Sequence, residues 1–173
     1  MSCLETVSAV SLLVSKYLLA IGSVSGWVAG VVGYILTGTY NFKKDIKILG
    51  VVAIGLLLLC TYGWYKWSVG LKGLQIFDYL VIALTIIGGL SFAYSEWKSK
   101  KALWFQQTVI TLLCMAAYVM LGLGLNSGWY CLGTAHAFLC YVYYKKGAYV
   151  YTGQQVISVY IALTKVTSLP MPF

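Results

Sequence analysis

Seven long apolar stretches run along the chain, separated by short segments that are polar or rich in glycine. Roughly 17–25 residues of helix cross the hydrocarbon core of a bilayer. Because lipid cannot satisfy exposed backbone groups, each stretch is expected to cross as a helix. The predicted helices cover residues 4–22, 26–42, 46–64, 76–94, 103–125, 128–144 and 148–169.

One part of this pattern occurs twice. Residues 25–44 begin with Ser-Gly-Trp and end with Lys-Lys, and residues 127–146 repeat that frame 102 positions later without a gap. The same offset holds upstream, for the pairs Thr6 and Thr108, Leu19 and Leu121, Gly22 and Gly124. Self-similarity at one fixed offset indicates that a structural unit has been used twice.

Helix four has no counterpart at this offset. Its position between the two copies gives the reason. Three helices bring the chain to the opposite side of the membrane, so one extra crossing is needed before a second copy can run parallel to the first. The predicted fold is therefore all-α, with two parallel three-helix repeats joined by a linker helix. The expected units are residues 1–70, residues 71–101 with the linker helix and a basic loop, and residues 102–173.

Composition agrees with a membrane protein. The chain has 173 residues, of which 61% are hydrophobic and only 9% are charged, whereas soluble domains carry roughly 25% charged residues. The N-terminus has no basic region, so the first apolar stretch is interpreted as a retained helix and not as a cleaved signal peptide. We expect a multi-pass protein of the cell membrane, with lipid around it and its oligomeric state left open.

The net charge of +8 comes from twelve lysines, since the chain has no arginine. Eight lysines fall in loops on the N-terminal side and three on the other, which predicts a cytoplasmic N-terminus and not a nucleic-acid partner. Arginine is the preferred bidentate partner of phosphate, so its absence weighs against a phosphorylated ligand, although lysine can bind phosphate as a point charge. Lys16 is close enough to the end of helix one to reach the interface, and a functional charge within the membrane is the alternative.

No reactive group of side chains is visible in the sequence. The chain has one histidine, four acidic residues near helix ends or in loops, and five cysteines without a Cys-x-x-Cys spacing. Neither catalytic residues nor a metal site are therefore expected, and no cofactor is implied. The sequence therefore predicts a transporter that moves a neutral solute passively by alternating access, and not an enzyme.

The candidate binding residues are polar side chains inside predicted helices. Gln107 opens helix five, His136 lies in the middle of helix six, and Gln155 follows Gln154 two turns into helix seven. Such groups are costly against lipid and should face the bundle or a cavity. Together with aromatic walls they would suit a flat heterocycle carrying hydroxyls. For His136, a single hydrogen bond between helices is the competing interpretation.

The segment Tyr-Gly-Trp-Tyr-Lys-Trp at residues 62–67 resembles the signature of PnuC-type nicotinamide riboside transporters. That resemblance implies a SWEET-like fold and facilitated diffusion of a neutral, nucleoside-like vitamin, with nicotinamide riboside as the expected substrate. It also implies substrate-binding roles for Trp64, Trp67 and Trp129, which match the family by position, with Tyr62 of the same segment as a further candidate. Interfacial anchoring is the competing interpretation of the tryptophans, and the favoured one for Trp67, which lies beyond the predicted span.

Three positions depart from the pattern of that family. His136 stands where the family usually has asparagine, Leu132 replaces a tryptophan, and Ala53 stands where glutamine is common. These changes leave two alternatives open: the same fold carrying another solute, such as a thiamine-like compound or a sugar, and a membrane accessory protein that transports nothing. Convergence of the polar residues on one central cavity with Trp64 would favour transport.

Overall fold

The computed structural model describes residues 3–43, 47–70, 74–99, 104–145 and 147–167. Within these ranges the chain forms helices and turns and no strand. The helices are α1 (Cys3–Ala20), α2 (Ser25–Lys43), α3 (Lys47–Ser68), α4 (Ile76–Ser99), α5 (Trp104–Gly122), α6 (Gly128–Lys145) and α7 (Tyr149–Thr167).

Five of the predicted helices agree with the structure to within a few residues wherever their ends are described. The other two, α3 and α4, continue past their predicted ends by four and five residues, to Ser68 and Ser99. In both cases polar residues predicted to form a loop belong to a helix. Each extension contains a charged residue that is buried by packing, Lys66 or Glu96. Several predicted features lie outside the described residues: the ends at 46, 103 and 169, and Lys44, Lys72, Lys100, Lys101 and Lys146.

Six of the helices form a closed ring. Within the described residues, each of α1, α2, α3, α5, α6 and α7 packs against the next in that order, and α7 packs against α1. The Ser8 and Tyr151 hydroxyls join the first and last helices at 2.7 Å. Helix α4 stands outside the ring; its backbone lies close to α5, and its first turn contacts α3 through side chains. A ring of this kind encloses a central space that side chains from six helices can line.

The turns after α1 and α5 have the same geometry. Gly22 and Gly124 have φ angles of 80° and 76°, in the left-handed region that favours glycine. In the first turn Ser23 N donates to Leu18 O at 2.8 Å, and in the second Leu125 N donates to Met120 O at 2.8 Å. This is the bonding of a Schellman cap, in which the left-handed residue ends the helix and reverses the chain.

Glycine also sets how closely the helices after these turns approach their predecessors. A Cβ atom on Gly26 would lie 2.6 Å from the backbone nitrogen of Leu19, and one on Gly128 would lie 2.9 Å from the carbonyl oxygen of Ala117. No real side chain tolerates such distances to backbone. The small residues therefore bring α1 against α2 and α5 against α6 at close range.

The outer surface of the ring and of α4 is apolar. Helix α4 exposes a run of large hydrophobic side chains, Ile76, Phe77, Leu80, Leu84, Ile86, Ile87 and Leu90. By length and composition, α1, the Gly50–Ser68 part of α3, α4 and α5 could each cross a membrane. The other three helices are less apolar because α2 is rich in glycine and α6 and α7 carry polar residues. Such an exterior is that of an integral membrane protein.

A buried ion pair fixes the start of α4 to the end of α3. Lys66 Nζ lies 2.5 Å from Asp78 Oδ2, and both side chains are buried. The Tyr62 hydroxyl donates to Asp78 Oδ1 at 2.8 Å, and Gln75 N donates to Asp78 Oδ2 at 2.8 Å. With these partners the Asp78 carboxylate is compensated, as a buried charge must be. Helix α4 is thereby tied to α3 through side chains.

Candidate functional site

A cavity of about 90 Å³ lies inside the ring. At roughly 10–15 Å³ for each water molecule, it is large enough for several. All six ring helices contribute to its lining, while no lining residue comes from α4. Most lining residues belong to the middle of each helix or to the half nearer the N-terminal side of the bundle, so the cavity extends from mid-depth towards that side.

Helices α6 and α7 give the cavity a hydrogen-bonded polar wall. His136 Nδ1 is bonded to Gln155 Oε1, Gln155 Nε2 donates to Gln154 Oε1 at 2.6 Å, and Gln154 Nε2 donates to Ser158 Oγ at 3.2 Å. With the Gln155 amide in this orientation, its Oε1 accepts a hydrogen bond and His136 carries its proton on Nδ1. Its Nε2 is then a bare acceptor, and it is buried without a partner among the described residues.

Aromatic residues border the polar wall. Tyr143 and Tyr151 stack with ring centroids 5.1 Å apart and an interplanar angle of 20°. The Tyr34 hydroxyl donates to the Tyr118 hydroxyl at 2.8 Å. Tyr34, Tyr143 and Tyr151 all line the cavity. Their rings offer a solute flat apolar contact.

The facing wall, contributed by α3, is apolar. Val52, Ala53 and Leu56 line the cavity there. None of them carries a side-chain donor or acceptor, so this side of the cavity can offer a solute only apolar contact. A pocket with one polar wall and one apolar wall suits a solute that has a flat ring and a few hydrogen-bonding groups.

Lys16 of α1 also lines this cavity. The residue is 1% exposed, and no hydrogen bond or ion pair to it occurs within the described part of the chain. The predicted reach of Lys16 to the membrane interface is wrong, because its side chain is enclosed by the ring. Of the two interpretations of this residue, the structure supports a charge within the membrane region.

The structure brings three of the seven predicted site residues together. His136, Gln155 and Gln107 line the central cavity. Trp64 does not join them: it is 45% exposed on the outside of α3. Tyr62 is buried against α4, where it bonds Asp78. The convergence of the polar residues is thus observed, but without Trp64.

The two remaining predicted residues, Trp67 and Trp129, line a second cavity of about 160 Å³ at the opposite end of the ring. The predicted position of Trp67 beyond the end of its helix is wrong, since α3 includes it. Its indole Nε1 donates to Leu121 O at 3.1 Å, which ties α3 to α5 at this level.

Buried aromatic side chains lie between the two cavities. On α5, Tyr118 is located between Cys114 of the central cavity and Leu121 of the second one. Trp27 is fully buried and packs its ring against Trp67 at 5.6 Å and against Tyr118 at 6.0 Å. The central cavity is separated from the far end of the bundle by three side chains, Trp27, Trp67 and Tyr118. We call these three residues the aromatic plug.

Sequence reasoning overlooked Tyr34, Tyr151 and Asn41 as lining residues. For Tyr34 a signal was available, because it stands 102 positions before His136. If one member of a repeated pair faces the centre of the bundle, the other is expected to do so as well. Tyr151 and Asn41 had no such marker and resembled the many interfacial aromatic and polar residues of the chain.

The geometry defines a class of protein. A cavity with one polar wall, enclosed by helices with apolar outer faces, blocked towards one end and extending towards the other, is the architecture of a membrane transporter. No site for three or more metal-binding side chains occurs within the described residues.

Comparison with known proteins identifies the family. A family model described as nicotinamide mononucleotide transporter matches residues 2–168, so the chain belongs to that family. The structure is also similar to the crystal structure of the vitamin B3 transporter PnuC, with a TM-score of 0.64 and 16% sequence identity over 96% of this chain and 83% of that one. At that identity the likeness shows a shared fold. Among curated proteins no match is found.

Proposed function

We propose that this protein is a transporter, not an enzyme, and that it carries a solute containing the nicotinamide–ribose unit across the cell membrane by facilitated diffusion. Membership of the nicotinamide mononucleotide transporter family supports the solute class, and the fold shared with a vitamin B3 transporter is consistent with it. No mid-membrane pair of carboxylates is described in the cavity, which favours passive movement over coupling through an acidic proton relay.

The observation that carries this proposal is the polar wall formed by His136, Gln155 and Gln154. A nicotinamide group presents an amide N–H₂ donor and a carbonyl acceptor next to a flat ring. The unpartnered His136 Nε2 can accept from the amide, and the half-buried Gln107 can pair with ribose hydroxyls or the carbonyl. The ring then packs against Val52, Ala53 or the neighbouring tyrosines.

We also propose that the seven helices form two parallel triple-helix units, residues 1–70 and 102–173, with α4 as the linker in residues 71–101. The helix starts support this division. The first residues of α5, α6 and α7 follow those of α1, α2 and α3 by nearly the same distance. The pairs are Cys3 and Trp104, 101 residues apart, Ser25 and Gly128, 103 apart, and Lys47 and Tyr149, 102 apart. The two matching Schellman turns support it as well. All seven helices then cross the membrane in a SWEET-like arrangement.

In the orientation expected from the lysines, with the N-terminus inside, the central cavity extends towards the cytoplasm. The aromatic plug of Trp27, Trp67 and Tyr118 then blocks the outer side. The conformation corresponds to the inward-facing state of an alternating-access cycle. For transport to be completed, the plug must open while the end of the cavity near Tyr143 and Tyr151 closes.

The proposed function can be tested with purified protein in liposomes. Vesicles loaded with unlabelled ligand are diluted into labelled nicotinamide riboside or nicotinamide mononucleotide, and counterflow is measured, with thiamine and free nicotinamide as comparison solutes. Saturable counterflow of at least one of the first two, without a pH or sodium gradient, is expected. Counterflow of thiamine alone, or of none of the four by protein shown to be folded, would refute the assignment.

A further inference from the structure

The side chain of Lys16 is enclosed in the central cavity, and the proposed transport cycle assigns it no function. Lys16 lies on the same cavity as His136 and Gln155, and its side chain is 1% exposed. An ammonium group removed from water is strongly unfavourable unless an opposite charge or several acceptors surround it. An anionic group bound in the same cavity would provide that compensation.

The described acidic side chains do not. Asp78 is paired with Lys66, and Glu96 lies on α4, which is outside the ring. Glu5 is in the first turn of α1, eleven residues before Lys16, which is roughly 16 Å along the helix axis. The fourth acid, Asp45, lies outside the described residues. The cavity lining includes the Cys114 thiol and several amides and hydroxyls, but no described carboxylate.

The charge of the candidate solutes then becomes decisive. The description of nicotinamide riboside as a neutral solute is wrong, because its ring nitrogen is quaternary and carries a positive charge. Two positive charges in one small enclosed cavity repel each other strongly. A phosphate on the ribose gives the solute a net negative charge, and a carboxylate in place of the amide balances the ring. Either group could pair with the ammonium group of Lys16.

We propose that Lys16 is the residue that determines specificity in the central cavity, and that the carried solute bears an anionic group, a phosphate or a carboxylate, in contact with its ammonium. This inference rests on the proposed function and refines it. The absence of arginine does not oppose it, because a lysine binds an anion as a point charge without the bidentate geometry of a guanidinium.

The inference is tested by measuring the dissociation constants of three ligands for the detergent-solubilised full chain. Nicotinamide mononucleotide carries the phosphate, nicotinic acid riboside carries the carboxylate, and nicotinamide riboside carries neither. At least one anionic ligand is expected to bind about 10- to 100-fold more tightly than nicotinamide riboside, which is the usual range for a hydrogen bond to a charged group. The preferred ligand distinguishes phosphate from carboxylate.

Variants then assign the preference to Lys16. Lys16→Met is expected to remove it by weakening the anionic ligand and leaving nicotinamide riboside unchanged or tighter, while Lys16→Arg retains part of it. Lys145→Met is the matched control, because Lys145 is exposed at the end of α6. If Lys16→Met does not fold, as judged by size-exclusion chromatography, the wild-type ranking of the three ligands decides.

Two results would overturn the inference. Nicotinamide riboside could bind the wild-type protein as tightly as both anionic ligands, or Lys16→Met could weaken all three ligands equally. Binding of none of the three by folded wild-type protein has a different meaning, because it refutes the proposed function on which this inference rests. The two failures are therefore distinguishable in one set of measurements.

Discussion

In the proposed two-unit arrangement helices α3 and α7 are equivalent, and the cavity-lining residues of α3 differ in kind from the α7 residues at the matching positions. At the offset of 102 residues, the α3 positions are apolar and the α7 positions are polar: Val52 against Gln154, Ala53 against Gln155, and Leu56 against Ser158. Both helices face the same cavity. The sequence repeat thus carries an asymmetric site, in which α7 supplies hydrogen bonds and α3 supplies an apolar wall.

The same divergence occurs elsewhere in the ring. His136 stands opposite Tyr34 in the repeat, and Lys16 stands opposite Tyr118. Tyr34 and Tyr118 satisfy each other through their hydroxyl groups, whereas His136 Nε2 has no described partner. One member of each pair is therefore committed to packing, and the other has a polar group available to a solute. Substitutions that remove or enlarge this difference should change binding far more than folding.

The largest effect is expected from Gln155→Ala, which gives α7 the residue that α3 has at the equivalent position. His136 and Gln154 both lose their partner, so the polar wall loses its order as well as one amide. Binding of the tightest ligand should weaken by about 100-fold, as measured by calorimetry. Gln106→Ala is the matched control, since Gln106 is absent from the cavity lining. A change of less than about threefold in Gln155→Ala would contradict the role of this wall.

His136→Ala should have the next largest effect. It removes the bare Nε2 acceptor, and binding should weaken by about 10-fold or more, while the protein is still extracted as a monodisperse species. Tyr34→Phe removes a hydroxyl at the equivalent position in the other half, where it contacts Tyr118, and should leave binding within about twofold. Unchanged binding in His136→Ala would show that the histidine only joins α6 to α7.

Ala53→Gln should have a smaller effect, and it tests the apolar wall. A glutamine at this position makes α3 resemble α7 and places an amide where the ring of the solute is expected to pack. Binding should weaken by about 3- to 10-fold, because the amide occupies part of the cavity and loses contact with water when the solute enters. Tighter binding would mean that this wall recognises polar groups, and the proposed placement of the ring would then be reversed.

No effect on binding is expected when Lys98, Lys100 and Lys101 are changed together to glutamine, but the orientation should become mixed. These residues contribute three of the eight lysines that favour a cytoplasmic N-terminus. Cys3 is exposed near that terminus, so a membrane-impermeant maleimide applied to intact cells should label the triple variant more than the wild-type protein. A Cys3→Ser background provides the blank. Equal labelling of the triple variant and the wild-type protein would contradict the prediction that these lysines determine the orientation.

The sequence was sufficient for the helices, because their lengths and separating turns are set by the lipid environment. It was less informative about which side of each helix faces inwards. Helix α3 is apolar on nearly every side, so nothing in its pattern showed that Trp64 points outwards while Ala53 points into the cavity. In water, hydrophobic residues mark the interior, but in a membrane both surfaces of a helix can be apolar.

Polar residues were the better guide, since only an enclosed position tolerates them at mid-depth. That logic located His136, Gln155 and Gln107 correctly on one cavity. It failed for Lys16, because a long side chain near a helix end has two acceptable destinations. The choice between the interface and the cavity depends on how α1 is rotated within the ring, which the sequence does not show.

The closed ring has mechanical consequences for the way a transporter of this shape can move. In the proposed arrangement, the two triple-helix units meet along two junctions, one between α3 and α5 and one between α1 and α7. The first is spanned by α4, which packs on α5 and is held to α3 by the Lys66–Asp78 ion pair. None of the described helices spans the second, which includes the hydroxyl contact between Ser8 and Tyr151. The α3–α5 junction should therefore act as a stiff hinge, and the opposite junction should open and close most widely during each transport cycle.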